Sequence, residues 1–478
     1  MKVLRRLSQL LGSANRSPQN FQAPQSGSDK NVTPTPLILQ QQPPTPQANL
    51  QDDSPNDDSP DLKAADDAGT RPDSQDLAVV IAATMPPSEA YQRGLAYLQQ
   101  GQSQSAIAYL RHAIHQQPDL AAAHYELGRA LKQQGEYREA IATLRRALDS
   151  MPNAATVHQN LGEALLEDQQ IDAAIECLQR ATVLNPKAAW AYHRLGEAHL
   201  QRDDLQSAIA AFQTATELQP DIPWFHHRLG MAYAACEDEE RAANCYRRAL
   251  ELNPDSVDTL AKLGDLLLRQ GQTEQAIANY QRAVKLKPNQ AWLYLWLGNG
   301  LLRNGRYNDA IANFQRAIDL NPHLAWAHHN LGDTLCRQHR LSEAVAAYRA
   351  ALAIDDAPAW WHYKLGKALA SLGQTEAALA AYRAAIERDA TAFEFHRKLG
   401  ETLTAHGHWQ EAIHHLQQAI ALDGREFNSH FFLGQALLQT HQAEAAVAAF
   451  EQALNLNPGH GPSRDWYQKA IAQRNRPA

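Results

Sequence analysis

The sequence predicts an all-α protein, a solenoid of helical hairpins behind a disordered N-terminal tail. Three observations predict it. The first is a strict period: Gly recurs every 34 residues from Gly94 to Gly434, preceded by Leu in all but the first case. Equal spacing over eleven units is the signature of stacked supersecondary repeats. The second is composition. The chain is 44% hydrophobic but only 7% aromatic, so its apolar mass is largely Ala and Leu, both strong helix formers. The third is punctuation: Gly and Pro fall at fixed points of the period, where hairpin turns and helix ends are needed.

The tail comes first. Residues 1–28 carry Lys2, Arg5, Arg6 and Arg16 and no acid, whereas residues 29–86 carry ten Asp, no Glu and three basic residues. The two segments are therefore +4 and −7 within a total of −8. Residues 12–80 are rich in Pro, Gln, Ser and Asp and poor in branched or aromatic side chains. Too little apolar surface is available there to offset chain entropy, and the segment reads as disordered. At the extreme N-terminus, Val3, Leu4, Leu7, Leu10 and Leu11 fall at helical spacing between basic residues. Residues 2–12 are either a plain basic tail, a short amphipathic helix for an anionic membrane or partner, or an organelle transit signal. Any membrane contact is expected only through residues 1–12.

The array follows, eleven units over residues 87–460 without insertion or deletion, read as one continuous array. With the repeated Gly placed at position 8 of each unit, position 20 is Ala in all eleven (Ala106 to Ala446), and so is position 27 (Ala113 to Ala453). Position 24 is always large, from Leu110 to Phe450, and position 32 is Pro in eight units. Positions 4, 7, 8 and 11 share one face of a first helix, and positions 20, 24, 27 and 28 one face of a second. Gly at position 8 and Ala at position 20 remove bulk where the helices meet, and the large residue at position 24 fills the remaining space. Residues 461–478 read as a polar capping helix and tail.

This pattern resembles the tetratricopeptide repeat (TPR), over about 78% of the chain. The resemblance implies a right-handed superhelix whose first helices line a concave groove that grips protein or extended peptide. On that face, positions 2, 5, 6, 9, 12 and 13 are expected to point inward.

Position 2 holds Trp190, Trp224, Trp292, Trp326 and Trp360, five of the nine Trp of the chain. The usual aromatic position of the family is 4, so these indoles have moved about 200° around the helix. Trp296 at position 6 and Tyr125, Tyr363 and Phe431 at position 5 join them. Two readings stay open: a ladder that stacks on ligand, or mortar packed on the end of the preceding repeat. Position 4 holds seven His, from His124 to His430. Stacked helices place equivalents about 8–10 Å apart, too far for shared ligation, so these His read as packing residues and no metal is expected.

Charges at positions 6 and 9 pair within one helix, as in Arg194 with Glu197 and Lys398 with Glu401. Lys364 and Lys367 have no acid at either position. With Arg303, Arg337 and Arg397 they mark the later units as the place for an acidic ligand. The family's carboxylate clamp needs Lys at position 5 and Asn at position 9; no position 5 is Lys, and Asn299 alone is Asn at position 9. The Asn-lined arm of protein O-GlcNAc transferases is matched only by Asn160 and Asn330.

Four Cys without a C-x-x-C spacing exclude a disulfide framework and a thiolate zinc site. The mild acidity argues against nucleic acid as partner, and no apolar stretch is long enough to span a membrane. No G-x-S-x-G, Walker loop or H-E-x-x-H occurs, and no residues remain for a catalytic domain. The expectation is therefore a non-enzymatic, cytoplasmic protein- or peptide-binding scaffold without cofactor. Its alternatives are a substrate-recruiting arm for a separate glycosyl- or sulfotransferase-type enzyme and a membrane-associated assembly factor held by the N-terminus.

Overall fold

The computed structural model describes residues 85–475. The expected disorder of 12–80 and the amphipathic helix at 2–12 lie outside the described residues. Within them are 23 helices and no strand. The helices come in eleven pairs, each a first helix of 13 residues and a second of 14, as in Ala189–Gln201 and Leu205–Leu218 of the fourth repeat. A final helix, Gly461–Arg474, follows the last pair, where a cap was expected. Contacts divide the described residues into two compact units, one ending at Leu266 and one beginning at Leu267, inside the helix Val257–Arg269.

Inside each hairpin the packing follows from one missing Cβ. A Cβ built on Gly196 would lie 2.7 Å from the Phe212 ring, and on Gly298 2.6 Å from Phe314. The same holds with Leu at position 24: Gly128 would strike Leu144 at 2.5 Å. Such distances are far inside van der Waals contact, so Gly at position 8 lets the two helices close on the position-24 side chain. That side chain is then completely enclosed, as are the alanines at position 20. Burying one such ring contributes about 1.5–3 kcal/mol.

The turn between the two helices uses a left-handed residue at position 15 in all eleven repeats. Six repeats supply Gly, for example Gly271 at φ 75°. Five do not: Gln169, Asp203, Glu237, His339 and His441 hold φ between 58° and 68°. A side chain there costs roughly 1–2 kcal/mol, and the flanking helices over-determine the turn strongly enough to hold it.

Candidate binding surface

The position-2 indoles pack forward. Trp190 meets Phe225 edge to face with ring centroids 4.8 Å apart, Trp326 meets Trp361 at 5.1 Å, and Trp360 meets Phe395 at 5.0 Å. In each case the partner is position 3 of the following repeat. Of the two readings left open by the sequence, the packing one holds for these rings with the direction reversed: the partner lies in the following repeat, not at the end of the preceding one. The geometric cause is that side chains lean toward the N-terminus of their own helix while position 3 of the next helix lies alongside. Trp224 has Thr259 at that place and stacks instead on its own His227, with Arg228 over the ring at 5.6 Å. Trp292 packs edge-on against Trp296.

Beneath the indoles lies a second layer at position 5. His193 stacks on Phe225 at 5.1 Å and touches Phe212 at 5.4 Å. His329 stacks on Trp361 and meets Tyr348 at a tilt, and Tyr363 meets Phe395 and Tyr382 at a tilt. These rings are buried, and so are Trp296 and Phe431. Trp296 and Tyr363 were expected to face a ligand. Both are core instead: Tyr382 at position 24 and Phe395 at position 3 of the next repeat close over Tyr363, whereas Trp296, at position 6, lies against Trp292 and Tyr280. Of the five position-2 indoles, Trp190 and Trp224 are the open ones, each 37% exposed; Trp292, Trp326 and Trp360 are half-buried.

Burial sets the charge of the position-5 imidazoles. His227 is pushed down to about 3, chiefly by burial and then by Arg228 and Lys262. His193 is pushed down to about 4, again chiefly by burial. Its two ring nitrogens have no hydrogen-bond partner among the described residues, and Glu197 stands 3.7 Å away. His227 Nδ1 is 2.9 Å from the Thr259 hydroxyl.

The charges at positions 6, 9 and 12 form chains across repeats. Lys132 binds Asn160 and Glu163 of the third repeat. Arg194 binds Glu197 at 2.8 Å, and Arg228 of the fifth repeat reaches the same Glu197 at 3.1 Å. Both glutamates are nearly buried. Burial alone would raise their carboxyls, but the surrounding cations outweigh it and hold them below the usual range. In the second unit, Lys364 binds the buried Asp333 of the preceding repeat at 3.1 Å. The expectation that Lys364 lacks an acid is corrected: the acid sits one repeat back, not on the same helix. Lys398 binds Glu401 at 2.8 Å, as expected within one helix. Arg397 lies 3.4 Å from Glu401 and 3.9 Å from Glu426. Lys367 makes no ion pair among the described residues and sits over the Tyr363 ring. Burial, then Lys364, Lys398 and Arg397, push its ammonium down.

The seven position-4 His share one structural task. Each Nε2 lies 2.8–3.3 Å from the carbonyl oxygen six residues earlier, from Pro118 for His124 to Gly424 for His430. A carbonyl only accepts, so each ring carries its proton on Nε2. The Tyr294 hydroxyl does the same to Pro288 at 3.1 Å. The imidazole thus ties the end of one hairpin to the start of the next. The buried position-5 His and the cross-repeat acids were not singled out by sequence reasoning. A signal existed for the latter: their partners stand 31 residues away.

Family models for this repeat match most of the chain. Models described as "TPR repeat" match 264–305 and 367–407, and models described as "Tetratricopeptide repeat" match 97–161, 133–193, 189–222, 223–256, 245–278, 289–357 and 398–461. No curated protein matches significantly. Among solved structures, the chain is similar to that of the APC/C hetero-tetramer Cut9-Hcn1, at 13% identity over 84% of this chain and 99% of that one, with a TM-score of 0.42. YrrB, described as a TPR protein with an unusual peptide-binding site, is 21% identical over 40% of this chain and 97% of its own, with a TM-score of 0.38. PilF of Pseudomonas aeruginosa is 22% identical over 45% and 94%, with a TM-score of 0.38.

Proposed function

The chain belongs to the tetratricopeptide repeat family, and we propose that it is a non-enzymatic scaffold that takes an extended peptide or protein segment on its first-helix face. The repeats support a protein-interaction role in general. The observation that carries the finer reading is the open pair Trp190 and Trp224, in consecutive repeats, each more than a third exposed above a closed aromatic layer. Exposed indoles offer large rigid contact area and are enriched where partners bind.

The test uses the full chain and an array of immobilised 15-residue peptides. Trp190→Ala with Trp224→Ala should lower capture at least tenfold while far-ultraviolet helicity is kept. Undiminished capture by the double variant would remove these two indoles from the binding surface.

A further inference from the structure

We propose that the ninth and tenth repeats hold a carboxylate-binding site, in which Lys367 and Lys398 take one carboxylate of an acidic peptide between them. The site lies wholly in the second unit, and the proposal does not rest on the Trp190–Trp224 surface.

The pattern of the other boundaries is the first argument. A first helix presents its position 9 to position 6 of the next. Glu197 meets Arg228 there at 3.1 Å, Asp333 meets Lys364 at 3.1 Å, and Asn299 meets Asn330 at 2.7 Å. In these crossings an acceptor on one repeat faces a donor on the other. The step from the ninth repeat to the tenth instead sets Lys367 against Lys398. Each ammonium has three donors and no acceptor. Along the array this is the one 31-residue interval from position 9 that joins two cations.

The nearby acids are committed elsewhere, and that is the second argument. The first helices Ala359–Ser371 and Phe393–Ala405 carry Lys364, Lys367, Arg397 and Lys398 against Glu394 and Glu401. Lys364 is held by Asp333 of the preceding repeat. Glu401 is shared by Lys398 at 2.8 Å and Arg397 at 3.4 Å. Glu426 lies 3.9 Å from Arg397, but its carboxylate caps the next helix. It accepts from the Ser429 backbone N–H at 2.8 Å and from the Asn428 side chain at 2.6 Å. Arg397 Nε is accordingly buried without a hydrogen-bond partner among the described residues. Glu394 stands about two turns nearer the N-terminus than Glu401 and makes no ion pair among the described residues.

Lys367 itself is exposed on one side and lies over the Tyr363 ring on the other. An aromatic face attracts a cation but brings no net charge to offset it. That partial burial, then Lys364, Lys398 and Arg397, push its ammonium down, so three further cations surround it. A carboxylate suits this place. It brings one negative charge, as Glu197 and Asp333 do at their own crossings. Its two oxygens can each accept one charge-assisted bond of about 2.7–2.9 Å. An Asp or Glu side chain and a peptide C-terminus offer the same group.

The experiment titrates the full chain with three synthetic 15-residue peptides at low salt, where surface charge is least screened. One carries two central Glu between blocked ends. The second has Gln in their place and a free C-terminal carboxylate. The third has Gln and blocked ends. The first should bind, and Lys367→Gln and Lys398→Gln should each weaken it by about tenfold or more, as expected for a hydrogen bond between charged groups. Lys367→Glu, which supplies the acid from within the chain, should abolish binding with helicity kept. Lys285→Gln, on the second helix Thr273–Leu286 of the sixth repeat, removes the same charge elsewhere and should change nothing. Binding of the second peptide with the same dependence on Lys367 would assign the carboxylate to a chain end and keep the site. Equal weakening by Lys285→Gln, equal binding of the neutral peptide, or no binding of either carboxylate peptide would overturn the proposal. So would inorganic phosphate binding more tightly than both carboxylate peptides. None of these outcomes bears on the Trp190→Ala, Trp224→Ala test.

Discussion

Lys364 reaches back across a repeat boundary to Asp333, its Nζ 3.1 Å from a carboxylate oxygen, 31 positions away in sequence. The same interval joins Arg228 to Glu197 at 3.1 Å and Asn330 to Asn299 at 2.7 Å. Position 6 of a repeat thus meets position 9 of the one before. The interval is one period less one helical step of three, because neighbouring first helices stack side by side with a small stagger.

Removing Lys364 should expose the worth of this contact. Asp333 is buried, which by itself raises its carboxyl. Lys364 foremost, then His329 and the Tyr348 hydroxyl, outweigh that and hold it below the usual value. A carboxyl whose folded pKa is depressed stabilises the fold above its unfolded pKa and loses that contribution as pH falls through the folded value. Lys364→Met leaves a buried charge without its cation, at a cost of about 3 kcal/mol. Its acid limb in urea titrations should be shallower than the wild type's, because a carboxyl no longer held low has less stabilisation to lose on acidification. Superimposable acid limbs would show that the pair does not set the pKa.

Lys367 breaks the interval, because its partner at 31 residues is Lys398, another cation. Lys367→Glu would supply the missing acid. It should raise the urea midpoint, reflecting a gain in unfolding free energy of up to about 1 kcal/mol, the range of an exposed pair. A lowered midpoint would show that Lys367 is already satisfied through the Tyr363 ring.

Buried imidazoles should dominate a different pH window. His193 and His227 are pushed down to about 4 and about 3, so below about pH 6.5 the unfolded chain takes up protons that the folded chain refuses. Stability is then full above that pH and falls on acidification, by up to about 1.4 kcal/mol per pH unit for each group. His227→Gln should flatten the slope between pH 6.5 and 4 by one such increment. An unchanged slope would mean that this ring is protonated when folded.

The indoles should separate by role. Trp296 is core, and Trp296→Ala should cost about 3–5 kcal/mol. Trp224→Ala, with the indole more than a third exposed, should cost much less while reducing peptide capture. Equal losses of stability in thermal melts would make both indoles packing residues.

The turn at position 15 offers a gain. Glu237 holds φ at 60°, so Glu237→Gly should stabilise by about 1 kcal/mol. Gly271→Ala, at φ 75°, should destabilise by a similar amount. Local hydrogen exchange in the flanking helices reads both.

Much of this was legible before any coordinates. The Gly at position 8, the Ala at position 20 and the large residue at position 24 meet within one hairpin. Their constraint is local sterics, and it recurs at the period itself. The left-handed turn was legible where Gly marks it, and hidden at Gln169, Asp203, Glu237, His339 and His441, where the chain holds φ against side-chain preference. The Trp register was legible, but not which indoles are open.

By itself, then, the sequence determined the helical repeat, its hairpin packing and the positions that could vary. Only the tertiary structure decided that Trp296 and Tyr363 are core, that Trp190 and Trp224 are open, and that Lys364 is neutralised by Asp333. The reason is physical. Contacts inside a hairpin follow the 34-residue period, whereas contacts between repeats depend on the stagger with which hairpins stack, which shifts partners to 31 or 35 residues.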